Sequence, residues 1–415
     1  MKNENLRKYK KSTKEVTGDL KRIVMEELQK WYDSCDGRIL FLAGAPRVGK
    51  SWLIDNLCRE NKEKYIKISA RHLTCTEAKS AGVIIITDVN DRQCLERAKR
   101  IILRIRSENS LKDFKYIIES RIVRDETYLK SFINENYVNF VRVYPLNIRE
   151  FASEITREKS VDMLDIMRLY LYIGGMPECV CSFLKTGSLT SVRATQNEIL
   201  MYIKDNCCSK KSKEILNAIC LQIRNSDTTF TYRRLGVNAR EREYGNDVNN
   251  LLSQGIICRL PRFEEKGYRL YMFDVGLMAA MLDIKETLMI KEYDIYEIYN
   301  EAFIQCFVLQ EYMRYKDKGF ELFYWHRTRA KARLPLVINH KTEGIIILNL
   351  CAGVNYSRSV QSFCEKYDTD KIYNICIDEF YSRLIHKNSV LKKYDSVSLY
   401  NIDEIFEKLV ISSLS

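Results

Sequence analysis

The sequence predicts an α/β protein whose first large domain is built on a parallel β-sheet. Apolar segments of strand length lie at 38–43, 83–86 and 114–118, and segments with helical periodicity separate them. The run Val83–Ile86 contains no polar residue, as is typical of a parallel strand covered on both faces by helices. We therefore expect strands and helices to alternate around a parallel sheet over residues 37–150.

The composition is that of a soluble protein with more than one domain. The chain has 415 residues, and domains average about 150 residues. No apolar run reaches the ~18 residues needed to cross a bilayer, and no apolar signal segment follows the basic N-terminus. The 14 cysteines include no CxxC pair, and the four histidines lack metal-binding spacing, so we expect reduced thiols and no zinc site. A cytoplasmic location without membrane contact is the resulting expectation.

The formal net charge of the chain is +12 at pH 7. Two interpretations are open, because a lysine-rich surface keeps a protein soluble and also attracts a polyanion such as nucleic acid. Much of the excess lies in the first residues, namely Lys2, Arg7, Lys8, Lys10, Lys11 and Lys14. This concentration favours a charged tail over a dedicated binding surface.

The segment GAPRVGKS, residues 44–51, directly follows the first apolar run and precedes a segment with helical periodicity. It fulfils the pattern GxxxxGK[ST], in which glycines let consecutive backbone N–H groups point at phosphate oxygens. In this pattern Lys50 reaches the β- and γ-phosphates, and the Ser51 hydroxyl ligates Mg²⁺. The sequence therefore predicts a site for ATP and Mg²⁺ at a helix N-terminus. The residues expected to contact the nucleotide are Gly44, Ala45, Pro46, Arg47, Val48, Gly49, Lys50, Ser51 and Trp52.

ATP hydrolysis needs acidic residues at the end of a second strand. The run 83–86 is followed by Thr87, Asp88, Val89, Asn90 and Asp91. We expect Asp88 to complete the Mg²⁺ site or to orient water, and one carboxylate cannot do both. Whether Thr87 or Asp88 occupies the metal-binding position is left open. Because the usual Asp-Glu pair is missing, hydrolysis should be slow unless Asp91 helps, and Val89→Glu should raise turnover.

Several segments resemble the large bacterial and archaeal family of AAA-type ATP-binding proteins with a C-terminal domain of unknown function. They are AGAPRVGKS, YPLNIREF (Tyr144–Phe151), LYIGGMPECV (Leu171–Val180) and RLYMFDVGLMAAM. The GGMPE and DVGL segments are the most specific of these. The resemblance implies that Ser120, after the third strand, is the polar sensor of the γ-phosphate, with Arg121 as an alternative.

The expected domain bounds combine this resemblance with the order of the elements. They are a basic tail and leading helix at 1–36, an ATP-binding domain at 37–150, a helical lid at 151–210, a winged-helix domain at 211–285 and a restriction-endonuclease-like domain at 290–415.

The segment 211–283 has the element order of a winged helix, with a candidate recognition helix at 241–254. The exposed face of that helix carries acids and amides, and Arg242 is its one basic residue. A helix that enters a phosphate-lined groove usually carries more positive charge. We therefore favour a structural role over weak DNA binding, which the preceding Arg233, Arg234 and Arg240 would support.

The order of elements in 297–377 is similar to the restriction-endonuclease-like core of the family. That core would place metal-binding acids on its first helix and on its second and third strands. This sequence has Gln305, Pro335, Leu348 and Leu350 at those positions. Leucine cannot bind Mg²⁺, so we expect no nuclease activity. The remaining acids, Glu301, Glu311 and Glu343, are expected to face solvent.

The favoured hypothesis is a slow ATPase that acts as a nucleotide-dependent switch for an unidentified protein partner. Two alternatives are a non-catalytic nucleic-acid-binding protein that uses the winged helix, and a scaffold in which ATP is structural. The sequence leaves open whether the chain assembles into an oligomer.

Overall fold

The computed structural model describes residues 20–34, 39–71, 81–108, 114–122, 138–157, 161–224, 229–236, 239–287, 299–327, 332–350, 357–369, 371–376 and 394–414. Most of the expected basic tail, residues 1–19, lies outside them. Contacts divide the chain into two compact units. The N-terminal unit comprises Gly18–Leu146 and Asn246–Ile257, and the C-terminal unit comprises Asn147–Gly245 and Cys258–Ser415.

The N-terminal unit contains a five-stranded parallel sheet. Its strands are β1 (Ile39–Gly44), β2 (Tyr65–Ser69), β3 (Val83–Val89), β4 (Lys115–Ser120) and β5 (Val138–Val143). They lie in the order β2-β3-β4-β1-β5, and every neighbouring pair is parallel. Helices of this unit are α1 (Val24–Asp33), α2 (Lys50–Glu60) and α3 (Arg92–Glu108). The predicted α/β class and the parallel sheet are confirmed.

Both faces of this sheet are buried. On one face Phe41, Ile86 and Ile118 pack in a core with α3. On the other face Leu42 and Ile117 are fully buried, and α2 contacts β1. Since parallel strands end at the same edge, the C-terminal residues of β1, β3 and β4 lie along one rim of the sheet. The loop predicted to bind ATP begins at that rim.

The first part of the C-terminal unit is helical. Its helices are α4 (Ile148–Thr156), α5 (Met163–Ile173), α6 (Pro177–Thr186), α7 (Leu189–Asn206) and α8 (Lys210–Arg224). Helix α4 begins with a capping box: the Asn147 side chain accepts a hydrogen bond from Glu150 N at 2.7 Å, and Glu150 Oε2 accepts one from Asn147 N at 2.9 Å. The sequence NIRE thus fixes the start of this helical region.

The GGMPE and DVGL segments bind each other. Asp274 caps helix α10 (Val275–Met281) through Leu277 N at 2.9 Å, and its second oxygen accepts a hydrogen bond from Gly175 N at 2.8 Å. Burial raises the pKa of Asp274 to about 6, although the backbone N–H groups that donate to it act in the opposite direction. Gly276 is required here, because a Cβ atom on it would lie 2.2 Å from Ile173 O. The Gly175–Asp274 contact therefore joins the end of α5 to the start of α10.

The predicted recognition helix is present as α9 (Glu241–Ser253). Its apolar stripe, Val248, Leu251 and Leu252, is buried. Strands β6 (Ile257–Pro261) and β7 (Tyr268–Met272) form a two-stranded sheet. The described residues 229–236 contain a 3-10 turn at Tyr232–Leu235. The winged-helix assignment stays a prediction.

The last part of the C-terminal unit is a mixed five-stranded sheet with helices. The elements are α11 (Glu301–Tyr312), β8 (Phe320–His326), β9 (Arg333–His340), β10 (Gly344–Leu350), α12 (Ser357–Cys364), β11 (Lys371–Cys376), β12 (Tyr394–Ser398) and α13 (Ile402–Leu414). The order is β12-β11-β10-β9-β8. The pairs β8–β9 and β9–β10 are antiparallel, and β10–β11 and β11–β12 are parallel. Strands β8 to β11 lie within the segment 297–377 whose element order was interpreted from the sequence, whereas β12 and α13 lie beyond it.

Candidate nucleotide-binding site

The loop between β1 and α2 is a tight turn that depends on two glycines. A Cβ atom on Gly44 would lie 2.6 Å from Val143 O of β5, so no larger residue fits without a shift of the backbone. Gly49 has φ 94°, and Arg47 also has a positive φ of 64°. Left-handed backbone is readily adopted by glycine and seldom by arginine. The two motif glycines thus serve different needs, close approach at Gly44 and chain reversal at Gly49.

Lys50, the first residue of α2, is held against this loop. Its side chain is buried, and Nζ donates hydrogen bonds to Gly44 O at 2.8 Å and Ala45 O at 2.9 Å. The ammonium group therefore lies beside the loop backbone, at a helix N-terminus where anions bind favourably. This is the position that the motif requires of a phosphate-binding lysine.

Arg22 braces the loop from the segment that precedes α1. The guanidinium is buried and donates to Val48 O at 3.3 Å and to Tyr144 O at 2.6 Å. The loop is thereby tied to the residue that follows β5. Sequence reasoning missed Arg22, since no local pattern distinguishes it from the neighbouring basic residues of the tail.

A carboxylate reaches the motif serine from β4. Ser51 Oγ donates to Glu119 Oε1 at 2.7 Å. Pairing of β1 with β4 sets Leu42 opposite Glu119 and Ala43 opposite Ser120. Since successive strand residues point to opposite faces, Glu119 shares the α2 side of the sheet with Leu42. The sequence contained a signal for this contact, an acid at the end of a strand that borders the loop strand, but we assigned the functional role to the adjacent Ser120.

Asp88 lies at a distortion of β3. The β3–β4 register shifts between Ile86 and Val89, and Asp88 has a positive φ of 61°. Its Oδ2 accepts a hydrogen bond from Ser69 Oγ at 2.8 Å, and its Oδ1 lies 3.7 Å from Arg71 Nε. These contacts connect Asp88 to the end of β2. Its expected role as a metal ligand or catalytic acid stays a prediction.

The residues that flank Asp88 have structural roles. Val89 is fully buried in the core formed with α3, so Val89→Glu would bury a carboxylate and destabilise the sheet. We therefore no longer expect Val89→Glu to raise turnover. Asp91 Oδ1 accepts a hydrogen bond from Cys94 N at 2.7 Å at the start of α3. Asp91 thus caps this helix.

Ser120, the residue expected to sense the γ-phosphate, is buried. Its hydroxyl donates to Val89 O at 2.7 Å and accepts from Ile122 N at 3.0 Å. These bonds link the ends of β3 and β4 on the α3 side of the sheet. The sensor role of Ser120 stays a prediction, as does that of the half-buried Arg121.

The other predicted nucleotide contacts differ in exposure. Ala45, Pro46 and Val48 are buried, Arg47, Gly49 and Trp52 are partly buried, and Ser51 is exposed. Within the described part of the chain, no group of three or more His, Cys, Asp or Glu side chains could hold a metal ion. Mg²⁺ does not require such a cage, because it binds through one or two carboxylates together with substrate phosphates and water. The hydroxyl and carboxylate pair of Ser51 and Glu119 fits that donor set.

The residues that stand at the positions expected for the metal-binding acids of a nuclease-like core are buried. Gln305 is fully buried: its Oε1 accepts from Arg269 Nη1 at 2.7 Å and from Tyr271 OH at 2.6 Å, and its Nε2 donates to Pro335 O at 2.8 Å. Leu348 and Leu350 are also fully buried.

The expectation that three nearby acids face solvent is wrong for Glu311. This residue is buried, and its Oε1 accepts a hydrogen bond from Tyr170 OH at 3.2 Å. Burial raises the pKa of Glu311 to about 8, and the guanidinium of Arg314 only partly offsets this. The reason is that α11 is buried along all of its faces, so Glu311 has no solvent-facing side of the helix to occupy. Glu301 and Glu343 are partly buried, beside Arg333 at 3.5 Å and Lys371 at 3.1 Å.

Residues 164–288 match the model of a domain of unknown function (DUF8612). This span includes the GGMPE and DVGL segments that bind each other. No curated protein matches the chain.

Among solved structures, the chain is similar to the ORC1 protein of Aeropyrum pernix in complex with DNA. That match has 11% identity and a TM-score of 0.32, and it covers 64% of this chain and 93% of that one. It is also similar to the RuvB Holliday junction branch migration motor of Thermotoga maritima, with 13% identity, a TM-score of 0.31, and coverage of 59% of this chain and 88% of that one.

In the described residues, no helix has the length and apolar character needed to cross a membrane.

Proposed function

We propose that this chain binds ATP with Mg²⁺ through residues 44–51, hydrolyses it slowly, and acts as a nucleotide-dependent switch for a protein partner. The arrangement of Lys50 carries the proposal: a buried ammonium group hydrogen-bonded to a glycine loop between a parallel strand and a helix N-terminus. Such a loop offers backbone N–H groups, a cation and a hydroxyl to a triphosphate. A nucleoside triphosphate uses all three, and the resemblance of several segments to ATP-binding proteins favours ATP.

Slow hydrolysis follows from the acids near the loop. Efficient phosphoryl transfer needs one group to hold the metal and another to position the attacking water. Asp88 and Glu119 are the available carboxylates, and Asp88 is already engaged by Ser69 and Arg71. We expect turnover below the ~1 s⁻¹ lower end of common phosphoryl-transfer enzymes.

A protein partner is proposed in preference to DNA. The exposed residues of α9 include Glu241, Glu243 and Asn246, and an acidic first turn is repelled by phosphates. We assign residues 151–210 to a helical lid, 211–285 to a winged-helix domain with a structural role, and 290–415 to a nuclease-like domain that does not cleave nucleic acid. Changes at the ATP site would be presented to the partner by these C-terminal parts.

The test is nucleotide binding by the full chain and by Lys50→Ala, with Lys64→Ala as a matched control. Lys64 is an exposed lysine of the same unit, so its removal changes the net charge equally. We expect Lys50→Ala to lose binding of a fluorescent ATP analogue and Lys64→Ala to retain it. Because Lys50 makes two buried hydrogen bonds, we also expect a stability loss of about 1–3 kcal/mol, which a thermal melt would measure. Unchanged affinity in Lys50→Ala would refute the assignment of the loop.

A further inference from the structure

We propose that Glu119, on β4, supplies the protein carboxylate that binds Mg²⁺ in this site, in place of an acid on β3. The inference rests on the proposed nucleotide-binding function and names one residue of that site. The contact that points to it is the 2.7 Å hydrogen bond between Ser51 Oγ and Glu119 Oε1. The motif gives the Ser51 hydroxyl to the metal, so a carboxylate within hydrogen-bond distance of that hydroxyl lies next to the metal position.

The strand register explains why the acid comes from β4. Ile85 of β3 lies opposite Ile117 of β4. Two residues later in each strand, on the same face of the sheet and closer to the rim, are Thr87 of β3 and Glu119 of β4. In P-loop NTPases an aspartate, for which the sequence offers a position at the end of β3, holds Mg²⁺ together with the loop hydroxyl. Here the β3 position on that face is Thr87, which has no carboxylate. The adjacent strand carries the charge instead.

The geometry of Asp88 supports the same assignment. Asp88 lies where the β3–β4 register shifts and has a positive φ of 61°, so its contacts, and not the alternation of side chains, show where its carboxylate is directed. Its two oxygens are directed to Ser69 Oγ at 2.8 Å and to Arg71 Nε at 3.7 Å, both at the end of β2. Glu119, in contrast, is connected to the loop serine itself. Of the two acids, Glu119 is therefore the one already joined to the group that ligates the metal.

A purely structural role for Glu119 has different consequences. A carboxylate at the first turn of α2 would stabilise that helix through its dipole and through the bond to Ser51. Removing such a contact would lower the melting temperature but would leave the Mg²⁺ dependence of nucleotide binding unchanged. A metal-binding carboxylate changes nucleotide affinity in opposite directions without and with Mg²⁺. Without Mg²⁺ its charge repels the phosphates, and with Mg²⁺ it strengthens binding.

The experiment measures affinity for a non-hydrolysable fluorescent ATP analogue in EDTA and at increasing Mg²⁺, using the full-length natural chain and Glu119→Gln. In EDTA we expect Glu119→Gln to bind the analogue as tightly as the natural chain or more tightly. The Mg²⁺ concentration for half-maximal gain in affinity should rise at least ~10-fold in this variant, since losing even an outer-shell partner of a metal costs 10–100-fold. Electron paramagnetic resonance of Mn²⁺ with ADP gives a second readout that does not depend on turnover.

Two further variants make the result decisive. Asp88→Asn should keep the Mg²⁺ dependence of the natural chain, and Glu26→Gln, at an exposed position of α1, controls for loss of one negative charge. If Asp88→Asn loses the Mg²⁺ dependence and Glu119→Gln keeps it, the inference is overturned. It is overturned equally if both variants bind Mn²⁺ with ADP as the natural chain does. If the natural chain binds no nucleotide at all, the proposed function fails and the inference fails with it.

Discussion

The buried Glu311 makes the stability of the C-terminal unit depend on pH. Its carboxyl group is fully buried, its Oε1 accepts from Tyr170 OH, and its Oε2 has no hydrogen-bond partner among the residues that the structure describes. The pKa is raised from the ordinary 4.5 to about 8, mainly by burial, with Asp403 and Glu150 adding to the rise and Arg314 opposing it. Between these two pH values the folded chain retains a proton that the unfolded chain releases.

The sign and size of the effect follow from this difference. Below pH 4.5 the Glu311 carboxyl is protonated in both the folded and the unfolded chain. The stability contributed by its raised pKa is therefore fully present at such a pH. As the pH rises toward 8, each pH unit favours the unfolded chain by at most 1.4 kcal/mol. Ionisation of Glu311 thus costs up to roughly 4–5 kcal/mol of the free energy of unfolding by pH 8 and above. Glu311→Gln removes this pH-dependent contribution to the free energy of unfolding, because the amide does not ionise. The amide oxygen can still accept a hydrogen bond from Tyr170.

Urea denaturation followed by circular dichroism at pH 5, 6, 7, 8 and 9 measures the effect. We expect the natural chain to lose stability relative to Glu311→Gln as the pH rises, so that the variant is the more stable of the two at pH 9. The pKa values of Asp274 and Asp403 are also raised, each to about 6, so the comparison between the two chains is clearest at pH 8 and 9, above both values. Glu321→Gln, at an exposed position of β8, is the control. Parallel stability curves for the natural chain and Glu311→Gln would refute the reasoning.

Two other predictions test packing and chemistry in the C-terminal unit. Gly276→Ala should lower the free energy of unfolding by at least ~1–3 kcal/mol, the usual cost of overpacking, because the added Cβ would lie 2.2 Å from Ile173 O. Gly245→Ala, in α9, should be neutral or stabilising by up to ~1 kcal/mol, since its nearest neighbour would be 3.5 Å away; thermal melts that rank the two variants in the opposite order would contradict the contact geometry. The Lys50→Ala chain should also leave labelled DNA and RNA uncut in Mg²⁺ or Mn²⁺, and metal-dependent cleavage by that variant would show an active nuclease site.

The central strands of the parallel sheet could be predicted from sequence and its edges could not. Strands β1, β3 and β4 lie between other strands and are buried on both faces, so they are apolar runs that stand out from their surroundings. Strands β2 and β5 are the two edges. Edge strands are partly exposed and carry polar residues such as Lys67 and Arg142, which removes the continuous apolar signal.

Some residues of the candidate site can be predicted from a local sequence pattern, and others can be found only from contacts between distant parts of the chain. Gly44, Gly49, Lys50 and Ser51 follow one another in the chain, and their spacing alone indicates a phosphate loop. Glu119 lies 68 residues beyond Ser51 and reaches it only because β4 pairs with β1. Strand order cannot be read from composition or periodicity, so the choice between Glu119 and Ser120 depended on knowing which strands are neighbours.

The Gly175–Asp274 contact has a consequence for synthesis of the chain. The two residues are separated by 99 positions, and ribosomes add about 5–20 residues per second. Helix α5 and the turn after it therefore leave the ribosome roughly 5–20 s before their capping carboxylate exists. During that interval Tyr170, Leu171 and Ile173, which are buried in the folded protein, have no final partner. The rate of translation between these two segments is thus a variable that should influence the yield of correctly folded protein.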